Sequence, residues 1–268
     1  FYRGMDIGTA KPTREELRRV PHHLIDCREI TEPMDVVRYG VEARRVVEEI
    51  LGRGRRVLVT GGSGFYLRAF IAPVSDDVTI DPVVREEVGR LSLAEALMRL
   101  RALNPEGLGA LDTANSRRVT RALERCVVSG RTLRQLAEDF SRRPGAFDDF
   151  RLEITRLDRD PLDLAARIER RVDAMLAAGL VEEVRGLLPA GLAANPSASR
   201  AIGYREVIAM LAGDFRREEL RGEIIANTRA LVKKQRTWFR TQLPTHRVVQ
   251  AAELRDVDAL FPVSEIPG

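Results

Sequence analysis

The sequence predicts an α/β fold: a parallel-sheet core covered by helices, with a wholly helical block inserted into it. Three observations carry that expectation. Arg55–Thr60 (RRVLVT) is short and apolar enough for a buried strand, and it passes through Gly61-Gly62-Ser63-Gly64 into the helical pattern Phe65–Phe70. From Asp81 to Gln135 only helical spacing is present. Alternation then returns at Arg151–Leu157 (RLEITRL). Strand and helix in succession call for a parallel sheet, and a helical block between α/β stretches reads as an insertion rather than a tail. The expected organisation is a first part of the core over 1–80, a helical insertion over 81–146, and a second part of the core with a basic C-terminal helix over 147–268.

In chain order, Phe1–Pro12 (FYRGMDIGTAKP) is a loop dense in Asp, Gly, Thr and Lys, the composition of a site that handles charge. His23–Asp26 reads as a short strand. Pro33–Gly52 carries Val36, Val37, Val41, Ala43, Val46, Val47 and Ile50 at helical spacing. The insertion reads as four helices, Pro82–Leu91, Leu93–Leu103, Ser116–Val128 and Leu133–Phe140, closed by the linker Ser141–Ala146. Pro161–Ala178 is a helix with Leu164, Ile168, Val172 and Met175 on one face and Gly179 as its cap. Val181–Leu188, Ala201–Leu211 and the long Arg217–Arg240 follow as helices, and His246–Gln250 as a last strand.

Composition narrows the function. The 268 residues are 44% apolar and 31% charged, with no apolar run long enough to span a bilayer and no secretory pattern. Cys27 and Cys126 are far apart, which suits core residues in a reducing cytosol and gives no metal cluster. The formal net charge of +4 does not itself imply nucleic acid; its distribution is more telling. No acid lies between Asn227 and Arg240, and Arg229, Lys233, Arg236 and Arg240 share one helical face, with Lys234 beside them. Such a stripe suits a phosphate backbone, or else is a solvated face paired with acids from other elements. Ser116–Val128 repeats the pattern: Val119, Ala122, Leu123, Cys126 and Val127 form the apolar stripe, and Arg117, Arg118, Arg121 and Arg125 fill the rest. Arginine forks suit phosphate and base contacts, while Glu124 could pair one of them. Gly61–Gly64 offers backbone N–H groups at a helix start, though no Gly-Lys-Ser/Thr follows. Ser199–Arg205 (SRAIGYR) places two arginines and a tyrosine around a glycine, able to bind phosphate and stack on a base, or simply to begin a helix. His22-His23 lacks accompanying ligands and reads as structural.

Together, Tyr2–Pro12, Val20–Asp26, Val59–Tyr66, Arg118–Glu124, Arg167–Val184, Ala201–Glu206 and Thr228–Arg240 resemble, in order and over nearly the whole chain, the tRNA dimethylallyltransferase (isopentenyltransferase) family. The resemblance implies a core related to P-loop kinases and a helical insertion gripping a tRNA anticodon stem-loop. It implies transfer of a dimethylallyl group from its diphosphate to N6 of the adenosine 3′ of the anticodon, with Mg2+. Ser63 matches a tRNA-contact position that is usually Thr, and Arg85 a second one. Arg117, Arg118 and Arg121 fall on a tRNA-contacting segment. Arg200, Gly203, Tyr204 and Arg205 fall on another, near the reacting base. Lys233, Lys234, Arg236 and Arg240 match a basic segment at the RNA surface. The implied setting is a cytoplasmic monomer that contacts no membrane.

This chain departs from the family pattern at its start. The phosphate-binding Gly-Lys loop and the Asp-Ser segment that carries the family's proposed general base have no counterpart in Phe1–Gly268. The catalytic base is therefore expected upstream of Phe1. By itself the chain is expected to bind RNA weakly, to lack donor binding and to be poorly stable. The rival expectations are a non-catalytic RNA-binding remnant and an enzyme that prenylates adenine nucleotides.

Overall fold

A computed structural model describes residues 1–254, Asp256, Leu260 and Phe261. The helices are α1 (Arg14–Arg19), α2 (Val36–Gly52), α3 (Gly64–Ile71), α4 (Pro82–Gly89), α5 (Leu93–Ala102), α6 (Ser116–Ser129), α7 (Leu133–Ser141), α8 (Pro161–Ala177), α9 (Leu180–Leu187), α10 (Pro196–Ser199), α11 (Tyr204–Ala212) and α12 (Leu220–Gln242). The strands are β1 (Thr155–Asp158) and β2 (Arg247–Gln250). The chain divides into two compact units, one of residues 1–71 with 146–268, the other of residues 72–145.

The first unit is α/β. β1 and β2 pair in parallel, Thr155 opposite Arg247 through Asp158 opposite Gln250. A separate parallel bridge joins Tyr2 to Arg28. The helices supply most of the core: Ile168 and Val172 of α8, Leu180 and Val184 of α9, Tyr204 and Val207 of α11, and Leu220 and Ile224 of α12 close around Tyr2, Met5 and Met34. A second cluster gathers Ala43 and Val47 of α2, Phe70 of α3 and Phe147. Arg44 lies 4.5 Å over the Phe150 ring and forks onto both oxygens of Asp149, binding that cluster's rim.

Two expected strands are not formed. Arg55–Thr60 is irregular, with Leu58 and Val59 exposed. His23–Asp26 bends instead, with Leu24 and Asp26 at φ of +60° and +50°. A strand is held by its ladder, and among the described residues no strand lies beside either segment to provide one.

The second unit is helical. Val88 of α4, Ala96 and Leu100 of α5, Val119, Leu123 and Cys126 of α6 and Leu136 of α7 form its core. Capping boxes at Ser92 and Thr132 start α5 and α7, and Gly130 in the left-handed region ends α6. Asp76 pairs with Arg125, and Asp77 pairs with Arg131 and Arg143, tying the flanks of the unit to α6 and to the turn after it.

Candidate nucleic-acid interface

The opening loop is built by its own polar groups. Lys11 Nζ donates to the carbonyl of Tyr2 at 3.1 Å and to the carboxylates of Asp6 and Asp26. Its side chain is only 11% exposed, whereas that of Asp6 is 60% exposed. Desolvation works to lower the Lys11 pKa, but the two carboxylates prevail and hold it above its usual value. Among the described residues, the non-glycine positions with positive φ are Ala10, Leu24 and Asp26, all beside this cluster. Backbone strain gathered at one place marks a segment that its surroundings over-determine.

Glu183 of α9 holds the other side of the loop. Its carboxylate accepts from the backbone N–H groups of Asp6 (3.0 Å), Ile7 (2.8 Å) and Gly8 (3.2 Å), and from the hydroxyl of Tyr204 (2.5 Å). The Tyr204 ring lies directly on Gly8, where an added Cβ would come within 2.4 Å of Cε2. Burial, with Glu183 adding to it, pushes the Tyr204 phenol far above its ordinary pKa, so it stays a donor. Sequence reading missed Glu183. The signal was present: Leu180, Glu183, Val184 and Leu187 fall at i, i+3, i+4 and i+7, so a carboxylate sits on the apolar stripe of α9.

The glycine turn Gly61–Gly64 leans on α12. A Cβ on Gly64 would lie 2.3 Å from Trp238 and one on Gly62 would lie 2.8 Å from Gln235. Ser63 is exposed where α3 begins, its carbonyl accepting from Tyr66 and Leu67. On α12, Lys234 lies one turn before Trp238, nearest that side, and is exposed. The stripe Arg229, Lys233, Arg236 and Arg240 lies on roughly the opposite side. There Arg229 pairs with Glu169 of α8, and Arg236 donates to Asp158 (2.9 Å) and to the Arg159 carbonyl (2.8 Å). Lys233 and Arg240 are exposed, and among the described residues no acid pairs with them or with Lys234. The Arg236 guanidinium is thus held by the end of β1, because acids from other elements reach that part of the stripe.

The segment Arg200–Arg205 divides between surface and core. Tyr204 is fully buried and offers no face for a base, since with Val207 it lies on the core side of α11. Gly203 is buried too, its N–H donating to Glu206 at 2.6 Å. Arg205 pairs with the same Glu206 at 2.5 Å, leaving Arg200 exposed and without an acidic partner among the described residues. In the helical unit, Arg85 lies exposed on α4. Arg117, Arg118 and Arg121 lie exposed on α6, Arg118 at 3.7 Å from Asp112 and Arg121 at 2.8 Å from the buried Glu124. Among the described residues no group of three or more His, Cys, Asp or Glu side chains is placed to hold a metal ion. No described helix is long and apolar enough to cross a membrane.

The arrangement can present spaced cations to a polyanion and hold a charged loop rigid beside a buried tyrosine. The chain is similar to known proteins. A family profile described as IPP transferase matches residues 1–242. A tRNA dimethylallyltransferase of Opitutus terrae is 63% identical over 97% of this chain and 85% of its own length. The crystal structure of the tRNA isopentenylpyrophosphate transferase of Bacillus halodurans is 33% identical, with a TM-score of 0.65 over 93% of this chain and 78% of that one. A eukaryotic dimethylallyltransferase acting on tRNA, 22% identical, has the same fold, with a TM-score of 0.78 over 97% of this chain and 67% of that one.

Proposed function

The chain belongs to the IPP transferase family as a tRNA dimethylallyltransferase, and from that premise we propose that it moves a dimethylallyl group from dimethylallyl diphosphate to N6 of the adenosine immediately 3′ of a tRNA anticodon. In that reaction N6 attacks the allylic carbon, the carbon–oxygen bond to diphosphate breaks, and the N6 proton passes to a base. The exposed cations Lys233, Lys234, Arg240 and Arg200 of the α/β unit, and Arg85, Arg117, Arg118 and Arg121 of the helical unit, are assigned to RNA phosphates. Ser63 is assigned a hydroxyl contact to the same RNA. The observation that carries the reading is the exposed lysine pair Lys233-Lys234, without an acidic partner among the described residues, on a helix packed against the Ser63 turn. Cations anchored in this way suit a polymeric acceptor better than a free nucleotide. Cytoplasmic action as a monomer belongs to the same reading, and the free thiols of Cys27 and Cys126 fit a reducing compartment.

The test offers the enzyme dimethylallyl diphosphate together with tRNA and adenosine monophosphate, and locates the new group by mass spectrometry of digested RNA. Modification confined to the adenosine 3′ of the anticodon is the expected result. Prenylation of the free nucleotide would replace this reading with the nucleotide-prenylating one.

A further inference from the structure

The Glu183 carboxylate is saturated in an unusual way. Oε2 accepts the N–H groups of Asp6 and Ile7, and Oε1 accepts the N–H of Gly8 and the Tyr204 hydroxyl. An ionised carboxylate offers about four acceptor sites and no donor, so four converging donors match it and nothing else of its size. Three of these donors come from consecutive residues outside any helix or strand, and this one side chain takes up all three N–H groups. The fourth comes from Tyr204, whose ring closes over Gly8 and whose neighbour, Arg205, lies on the segment expected at the acceptor base. Glu183 stands in the first turn of α9, where the helix dipole favours its charge. On the far side of the same loop, Lys11 gathers Asp6 and Asp26.

We infer that Glu183 is a positioning residue for the transfer reaction, fixing the Asp6–Gly8 turn and joining it through Tyr204 to the Arg200–Arg205 segment. The inference deepens the prenyltransferase reading and rests on it. Its role is to keep the exposed Asp6 carboxylate and the Lys11 cluster in one place while RNA occupies the arginine side. Glu183 touches no substrate group itself. Its effect belongs to the rate at saturation rather than to the grip on tRNA, because its bonds go to the turn and not to the exposed cations.

The discriminating variant is Glu183→Gln, which keeps size and shape. One glutamine oxygen can serve two of the four donors, while its NH2 group meets the other two donor to donor. The experiment measures kcat, KM for tRNA, KM for dimethylallyl diphosphate, and hydrogen exchange at the Asp6, Ile7 and Gly8 amides. The expected result is a kcat lowered about tenfold or more by loss of orientation, with KM for tRNA within about threefold of its original value and faster exchange at those amides. Tyr204→Phe, which removes one donor and keeps the ring over Gly8, is expected to move the same quantities in the same direction by less. Unchanged kcat with faster exchange would reduce Glu183 to a structural clamp. A raised KM for tRNA with kcat unchanged would make it a binding support, and unchanged exchange would remove it from the turn altogether. The exchange measurement needs no turnover, so it stands even where the acceptor assignment fails.

Discussion

A Cβ built on Gly8 would lie 2.4 Å from Tyr204 Cε2 and 2.9 Å from Leu180 Cδ1, closer than packed atoms approach. The atoms it would meet belong to a buried ring and a buried leucine, neither free to swing away. Gly8→Ala is therefore expected to behave as an overpacked core substitution, lowering unfolding free energy by about 1–3 kcal/mol. Denaturant titration of the two proteins measures it. A midpoint within error of the original would mean that Tyr204 can move off the turn. The same ring shows how one residue can carry two readings. In sequence, Tyr204 beside Arg205 suggests a stacking platform. The periodicity Tyr204, Val207 and Ile208 describes the buried face of α11 equally well, and that face prevails because the core closes around it. Glu183 was the converse case, a carboxylate among apolar neighbours whose three backbone partners lie 175 to 177 positions away in the chain, where no local pattern can show them.

At the scale of elements, the contact of α3 with α12 separates two glycines that look alike in sequence. Alanine within a helix is ordinarily favoured over glycine, yet at Gly64 the new methyl would meet the Trp238 indole at 2.3 to 2.7 Å. At Gly62 the nearest atom is the terminal nitrogen of Gln235, which a flexible side chain can withdraw. Gly64→Ala is expected to destabilise by about 1–3 kcal/mol, and Gly62→Ala by about 0.5 kcal/mol or less. Thermal unfolding of both variants decides it; equal losses would place α12 elsewhere than against this turn. The helices themselves were legible because their caps and apolar spacing are local: Asn115 with Gly130 brackets α6, and Asp160 with Pro161 begins α8. β2 was legible on the same terms. Arg55–Thr60 was not, since Val57, Leu58 and Val59 state what a strand would bury but not whether a neighbour is present to pair with it. The basic stripe of α12 was half legible. Its charges and their common face follow from spacing, while the acids that neutralise Arg229 and Arg236 come from α8 and β1 and depend on the tertiary fold.

For the molecule as a whole, the acceptor's size makes salt dependence the most direct measure of the interface. Each phosphate released from contact returns condensed counterions, and the log–log slope of tRNA affinity against salt falls by about 0.7–0.9 per lost contact. Lys233, Lys234 and Arg240 carry exposed charges with no acidic partner among the described residues, whereas Arg236 is engaged by Asp158 and the Arg159 carbonyl. Alanine at all three unpaired positions is therefore expected to flatten the slope by roughly 2 units. Arg236→Ala should leave the slope nearly unchanged and lower thermal stability, because it strips from Asp158 the nearer of its two arginine partners, leaving Arg156 at 3.6 Å. Arg117→Ala in the helical unit extends the comparison. Its expected effect is a slope flatter by about 0.7–0.9, the loss of one phosphate contact by the helical unit. A slope flattened by about 0.7–0.9 in Arg236→Ala would return Arg236 to the RNA surface. An unchanged slope in the triple variant would make the lysine pair of α12 a solvated face and take the acceptor away from this side of the molecule.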